Sequence, residues 1–127
     1  MKNLMVHSVF LADDDLNVRQ ALRLLLEQAG FEIAGETVDA KGMFAQVSAS
    51  PPEIILIDWE LPGLKAQEGI CALRTYCPGT KIIALSVRPE AQHLALAAGV
   101  DGFASKGNSS DALLSILNSV ALWDRQV

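Results

Sequence analysis

The stretch Ile54-Ile55-Leu56-Ile57-Asp58-Trp59-Glu60-Leu61-Pro62-Gly63 constrains this chain more than any other. Four branched apolar residues run into a carboxylate, and a turn follows at once. A continuous apolar run reads as a strand buried on both faces, as in a parallel sheet covered by helices. Two readings of Asp58 stay open on this stretch alone. A strand that ends in Asp delivers charge to the carboxyl edge of the sheet, where open α/β folds bind ligands. Equally, Asp caps turns for purely local reasons.

The flanking sequence repeats the alternation. Ser8–Ala12 is a short apolar strand, stopped by Asp13-Asp14-Asp15. Val18, Leu22, Leu25 and Ala29 then fall on one face of a helix that Gly30 closes, with Arg19, Arg23 and Glu27 elsewhere. Residues 31–36 alternate as an edge strand does. Asp39 can cap a second helix carrying Ala40, Met43 and Val47, weakened by Gly42 and ended by Pro51-Pro52. After the Asp58 strand, a helix from Ala66 turns Ile70, Leu73 and Cys77 inward. Residues 81–86 form another buried strand. Pro89 suits the first position of a helix with Ala91, Leu94, Ala95 and Ala98 on one face. Residues 101–106 make a short fifth strand, and Asn108 to Trp123 a last helix capped by Asn108 or Ser109. Five strands alternating with five helices give one domain: a parallel sheet with right-handed crossovers and helices on both faces.

Composition narrows the class. Half of the 127 residues are hydrophobic and 20% are charged, which is globular. A net charge of −5 argues against a nucleic-acid surface in this domain, since no basic stripe exists to neutralise phosphates. No apolar run reaches the roughly 20 residues that span a bilayer. Met1 to His7 is too short and polar for a signal peptide, so the cytoplasm is the expected compartment. Cys71 and Cys77 share one expected helix, point in different directions along it and match no zinc pattern; they read as reduced, half-buried thiols.

In a parallel sheet all strands end at one edge. Asp13 and Asp14, Asp58, Ser86 and Lys106 therefore converge from the first, third, fourth and fifth strands. Carboxylates that close repel unless a cation intervenes, and a small oxygen site that keeps its waters suits Mg²⁺. An Asp beside Mg²⁺ can take a phosphoryl group as a nucleophile, with Lys106 and the Ser86 hydroxyl neutralising and bonding the other phosphoryl oxygens. Each group also has a bland local role, as a cap, a turn residue or a surface charge.

The ordered set Asp13-Asp14, Asp58, Ser86 and Lys106 resembles the receiver domain of bacterial two-component response regulators. Leu11–Asp15, Ile57–Gly63 and Gly102–Lys106 match family segments residue by residue, and the resemblance covers nearly the whole chain. It implies a flavodoxin-like (βα)5 fold with strand order 2-1-3-4-5. It also implies that Asp58 accepts a phosphoryl group from a sensor histidine kinase. Mg²⁺ would sit on Asp14, Asp58 and the backbone carbonyl of Glu60, with Asp13 assisting through water. Ser86 and Lys106 would draw toward the phosphoryl group, and Phe103 matches the family's switch aromatic. The readout would be the surface of the fourth helix, fifth strand and fifth helix. The implied protein is a switch that catalyses only its own phosphorylation and dephosphorylation.

Several positions depart from the family pattern. Gly107 replaces the usual Pro after the lysine, and Lys65-Ala66 replaces the usual Asp-Gly, which puts a further cation near the site. Glu60 and Arg88 lie two residues beyond Asp58 and Ser86, flanking the path of hydrolytic water in such domains; we expect them to pair and to influence phosphoryl lifetime. The Ser-Lys-Gly ending and the Asn-Ser-Ser-Asp cap resemble receivers joined to helix-turn-helix (LuxR-type) DNA-binding output domains. Residues 1–127 thus read as one receiver, either stand-alone or the N-terminal part of a longer transcription regulator. A phosphorylation-dependent homodimer is a further implication of the family.

Three other readings compete. A degenerate receiver would bind partners without phosphorylation, which the intact acids, Ser86 and Lys106 disfavour. A Mg²⁺-dependent aspartyl-phosphate phosphohydrolase usually carries a second Asp where Glu60 stands. A flavin binder needs a hydroxyl- or glycine-rich phosphate loop after the first strand, where this chain has acids.

Overall fold

A computed structural model describes residues 7–122. The elements alternate as β1 (Ser8–Ala12), α1 (Leu16–Gln28), β2 (Glu32–Thr37), α2 (Ala40–Ala49) and β3 (Ile54–Asp58). They continue as α3 (Ala66–Tyr76), β4 (Lys81–Ser86), α4 (Ala91–Ala98), β5 (Gly102–Ser105) and α5 (Ser110–Ala121). The strands form one parallel sheet in the order β2-β1-β3-β4-β5, the expected flavodoxin-like doubly wound topology.

Every residue of β3 is buried, as its unbroken apolar run requires. Its alternate side chains enter two separate cores. Ile55 and Ile57 pack with Met43, Val47, Ile70, Leu73 and Ala95 from α2, α3 and α4. Ile54 and Leu56 pack with Leu26, Leu113 and Leu117 from α1 and α5. Each fully buried Leu or Ile contributes about 1.5–3 kcal/mol relative to exposure, so the central strand anchors both layers. Gly30 and Gly99 end α1 and α4 with φ of 93° and 106°, where other residues are strained.

The helices depart from expectation in detail. Ala29 is exposed, and Leu26 is the one α1 residue fully buried. Pro89 stands outside α4, in the turn whose Arg88 and Pro89 carbonyls accept from Ala91 and Gln92. Leu94 is 64% exposed, whereas Ala91, Ala95 and the partly buried Ala98 of α4 pack against the core. Ser109, not Asn108, caps α5, and Trp123 lies outside the described residues. Cys77 follows α3 rather than lying within it; it is buried, whereas Cys71 is exposed, so neither thiol is half-buried. Gly42 serves space rather than weakness: a Cβ there would meet Thr37 Oγ1 at 2.3 Å. No helix among the described residues is long and apolar enough to cross a membrane.

Candidate functional site

The carboxyl edge of the sheet collects the expected residues. Directly after β1, the Asp13 N–H still donates to Thr37 of β2 at 3.1 Å, so Asp13 continues the strand and is 1% exposed. Its Oδ1 accepts from the Asp15 N–H at 2.9 Å. Asp15 in turn caps α1 by accepting from Asn17 and Val18. The three acids therefore divide their work: the capping role falls to Asp15, and Asp13 and Asp14 are left for the site. Asp14 is exposed and makes no hydrogen bond or ion pair among the described residues.

Asp58 ends β3 and is 4% exposed. The turn after it folds back tightly: the Glu60 N–H donates to Asp58 Oδ1 at 3.0 Å and the Leu61 N–H to the Asp58 carbonyl at 2.9 Å. One oxygen each from Asp13, Asp14 and Asp58 lies within 4.8 Å of the others. Burial, reinforced by the charges of Asp13 and Glu60, lifts the Asp58 carboxyl above the usual range, although the Glu60 N–H and Lys106 pull the other way.

Lys106 follows β5, and its N–H donates to the Ser86 carbonyl at 2.8 Å. Its Nζ lies 2.7 Å from Asp13 Oδ2 and 3.4 Å from Asp58 Oδ2. Burial alone would lower the lysine, but its contacts with Asp13 and Asp58 more than reverse this and hold the ammonium charged. The approach to Asp13 Oδ2 is an ion pair without hydrogen-bond angles, so this buried oxygen keeps no hydrogen-bond partner. Three convergent carboxylates against a single ammonium leave excess negative charge that fits a hard divalent cation.

Ser86 ends β4 and is fully buried. Its hydroxyl lies 3.0 Å from Glu60 Oε1 and 3.1 Å from Oε2, and its oxygen accepts from the Arg88 N–H at 3.0 Å. Arg88 Nη2 donates to Glu60 Oε2 at 2.7 Å, so Glu60 and Arg88 do pair. Phe103 lies half-buried on β5 against the α2–α4 core and borders a shallow hollow with Gln92, Leu96 and Ile116. It stands apart from the acids. Lys65 is exposed and makes no ion pair among the described residues, so the extra cation of that turn does not join the cluster. Ala66, at φ 24°, occupies the left-handed region that glycine fills more easily. The Gly107 N–H donates to Ser105 Oγ at 3.2 Å, a bond that proline could not supply.

One contributor escaped the sequence. Arg19, assigned by periodicity to the polar side of α1, reaches back to the carbonyl of Asp13 at 2.8 Å. Only the fold shows that the polar side of this helix overlooks β2.

Comparison with known proteins agrees with this fold. The family model described as the response regulator receiver domain matches residues 9–118. Response regulator UvrY of Escherichia coli K12 is 28% identical over 123 residues, covering 94% of this chain and 56% of the relative. A LuxR-family DNA-binding response regulator from Staphylococcus aureus is 26% identical with a TM-score of 0.81, covering 91% of this chain and 99% of that one. A LuxR-family two-component response regulator from Aurantimonas sp. SI85-9A1 shares the fold with a TM-score of 0.84 at 22% identity, covering 92% of this chain and 86% of that one. The chain spans about half the length of the curated relatives it matches first, 55% and 56%.

Proposed function

Because the chain belongs to the response regulator receiver domain family, we propose that it is a phosphorylation-driven switch whose acceptor is Asp58. The convergence of three carboxylates with Lys106 at one sheet edge carries this reading. A phosphohistidine on a sensor kinase is the donor class. An Asp58 carboxylate oxygen attacks phosphorus, the P–O bond forms, and the P–N bond breaks with its electron pair leaving on the imidazole. Asp58 must be ionised to attack, and its one hydrogen bond from the Glu60 N–H leaves its other oxygen, Oδ2, near the Lys106 ammonium.

Asp14, Asp58 and the Glu60 carbonyl would hold Mg²⁺, with Asp13 assisting through water. The ion would supply neutralising charge for the phosphoryl oxygens. Lys106 meets another of those oxygens as a point charge. Ser86 gives up its bond to Glu60 and donates to a third, and Phe103 follows to reshape the surface of α4, β5 and α5. Glu60 and Arg88 flank the approach of hydrolytic water and set how long the phosphoryl group persists. Control of transcription through a DNA-binding output domain is the downstream step that the name of the Staphylococcus aureus relative favours; dimer formation on phosphorylation is a further expectation of the family.

Trp59, which adjoins Asp58, reports on the site. Beryllofluoride with Mg²⁺ should change its fluorescence in the wild type and leave Asp58→Asn silent. An equal response in both proteins would refute the assignment of Asp58.

A further inference from the structure

Arg19 stands outside the ring of strand-end groups, yet its side chain is only 13% exposed. Its Nη1 donates to the Asp13 carbonyl at 2.8 Å and its Nε to Glu36 Oε1 at 3.0 Å. Glu36 lies on β2, and its other oxygen accepts from Arg23 Nε at 2.7 Å. Burial raises Glu36, but its bonds to Arg23 and Arg19 outweigh that and keep it ionised. The next residue on β2, Thr37, accepts the Asp13 N–H. Asp13 is thus tied to β2 twice, directly through its N–H and through Arg19 and Glu36 at its carbonyl.

That carbonyl shares a rigid peptide plane with the N–H of Asp14. Fixing it fixes the plane from which the Asp14 side chain departs. Asp14 needs such help, because no hydrogen bond or ion pair among the described residues holds its own carboxylate. Arg can serve here because its planar fork reaches two acceptors at once, which a lysine ammonium does less well.

We infer that Arg19, clamped by Glu36, is a positioning residue that orients Asp14 through the Asp13–Asp14 peptide and thereby sets the affinity of the acidic trio for a divalent cation. The inference rests on the reading of that trio as the Mg²⁺ site. Charge and position act in opposite senses here, and this makes the idea testable. As a mere cation near three carboxylates, Arg19 would oppose a second cation, and its removal would tighten binding. As a positioning residue, its removal weakens binding.

The test is a Mg²⁺ titration of the full chain, followed by fluorescence in a Trp123→Phe background, where Trp59 is the remaining one of the two tryptophans. Arg19→Met should raise the half-saturating Mg²⁺ concentration about tenfold, as loss of a residue that orients a metal ligand does, with the plateau unchanged. Arg19→Lys keeps the charge without the fork and should shift the midpoint in the same direction. Glu36→Gln should give a smaller rise, about threefold. Arg23→Gln, which leaves the Asp13 contact intact, should stay within about twofold because its charge is largely screened. A midpoint that falls or stays fixed in Arg19→Met, with a normal plateau, overturns the inference. If Arg19→Met does not fold, an unchanged midpoint in Arg19→Lys overturns it instead. A wild-type protein with no saturable Mg²⁺ response defeats the underlying metal reading itself.

Discussion

The Ser86 hydroxyl is held by Glu60, at 3.0 Å and 3.1 Å from its two carboxylate oxygens, while Arg88 closes on the same carboxylate at 2.7 Å. A hydroxyl has one proton to donate. While Glu60 takes it, Ser86 has none for a phosphoryl oxygen, so entering the phosphorylated state means exchanging one anion for another. Hydrogen bonds to charged groups are the stronger kind, which makes this exchange a real barrier. Glu60→Ala should therefore speed phosphorylation by acetyl phosphate roughly threefold to tenfold, and should shorten the phosphoryl lifetime by opening the water path. Arg88→Ala should shorten the lifetime less, since Glu60 still flanks the water path. If neither substitution alters the dephosphorylation rate, the pair has no part in hydrolysis.

Burial, and after it the charge of Asp13, raise the Asp58 carboxyl in the folded protein. Its folded-state proton affinity is raised, so protonation favours the folded state. That contribution is present in full below the ordinary carboxylate range and is lost as pH rises through the raised value. Asp58→Asn removes the penalty and should raise the thermal midpoint at pH 7 by a few degrees. The advantage should shrink as pH falls through the raised value, which parallel melts of both proteins would show.

Lys106 is the cation that compensates two buried carboxylates, with its side chain 16% exposed. Lys106→Met leaves them unbalanced and should cost about 3 kcal/mol at neutral pH, read by urea unfolding. Saturating Mg²⁺ should restore more stability to this variant than to the wild type, because a cation that binds only the folded state stabilises it by mass action. The lysine's own proton affinity is raised. Its stabilisation is therefore complete below the ordinary lysine range and vanishes as pH climbs through the raised value, so the gap between the proteins should close only in strong alkali.

Two backbone positions predict opposite outcomes from small changes. Gly42→Ala drives a methyl to 2.3 Å from Thr37 Oγ1, whose hydroxyl already donates to the Asp39 carbonyl, and should destabilise by about 1–3 kcal/mol. Ala66→Gly relieves a left-handed alanine at the start of α3 and should stabilise by up to about 1 kcal/mol. Thermal melts of the two variants check both signs.

The fold, and the meeting of Asp13, Asp14, Asp58 and Lys106 at one sheet edge, were legible from the chain because the alternation of strands and helices is strong. Ile54–Asp58 reads as a buried strand by its unbroken apolar run, and once every strand is parallel the residues at their ends lie along one edge. Surface helices were read less well. Leu94 fits an apolar stripe by spacing, yet the face that α4 turns to the core runs through Ala91 and Ala95, and only the packing of α4 on its neighbours sets that rotation. Asp13 and Asp14 were assigned to the site from the sequence, whereas the helix-capping role of Asp15 is a matter of backbone angle and emerged with the fold. The Arg19 clamp on Asp13 was invisible for a different reason. It spans an helix and a neighbouring strand, and no spacing rule encodes that approach.

Intact mass after incubation with acetyl phosphate and Mg²⁺ tests the central claim most directly. The wild type should gain the mass of one phosphoryl group, Mg²⁺ omission should abolish the gain, and Asp58→Asn should gain nothing. A phosphoryl adduct of equal yield in Asp58→Asn, or none in the wild type, would contradict the account.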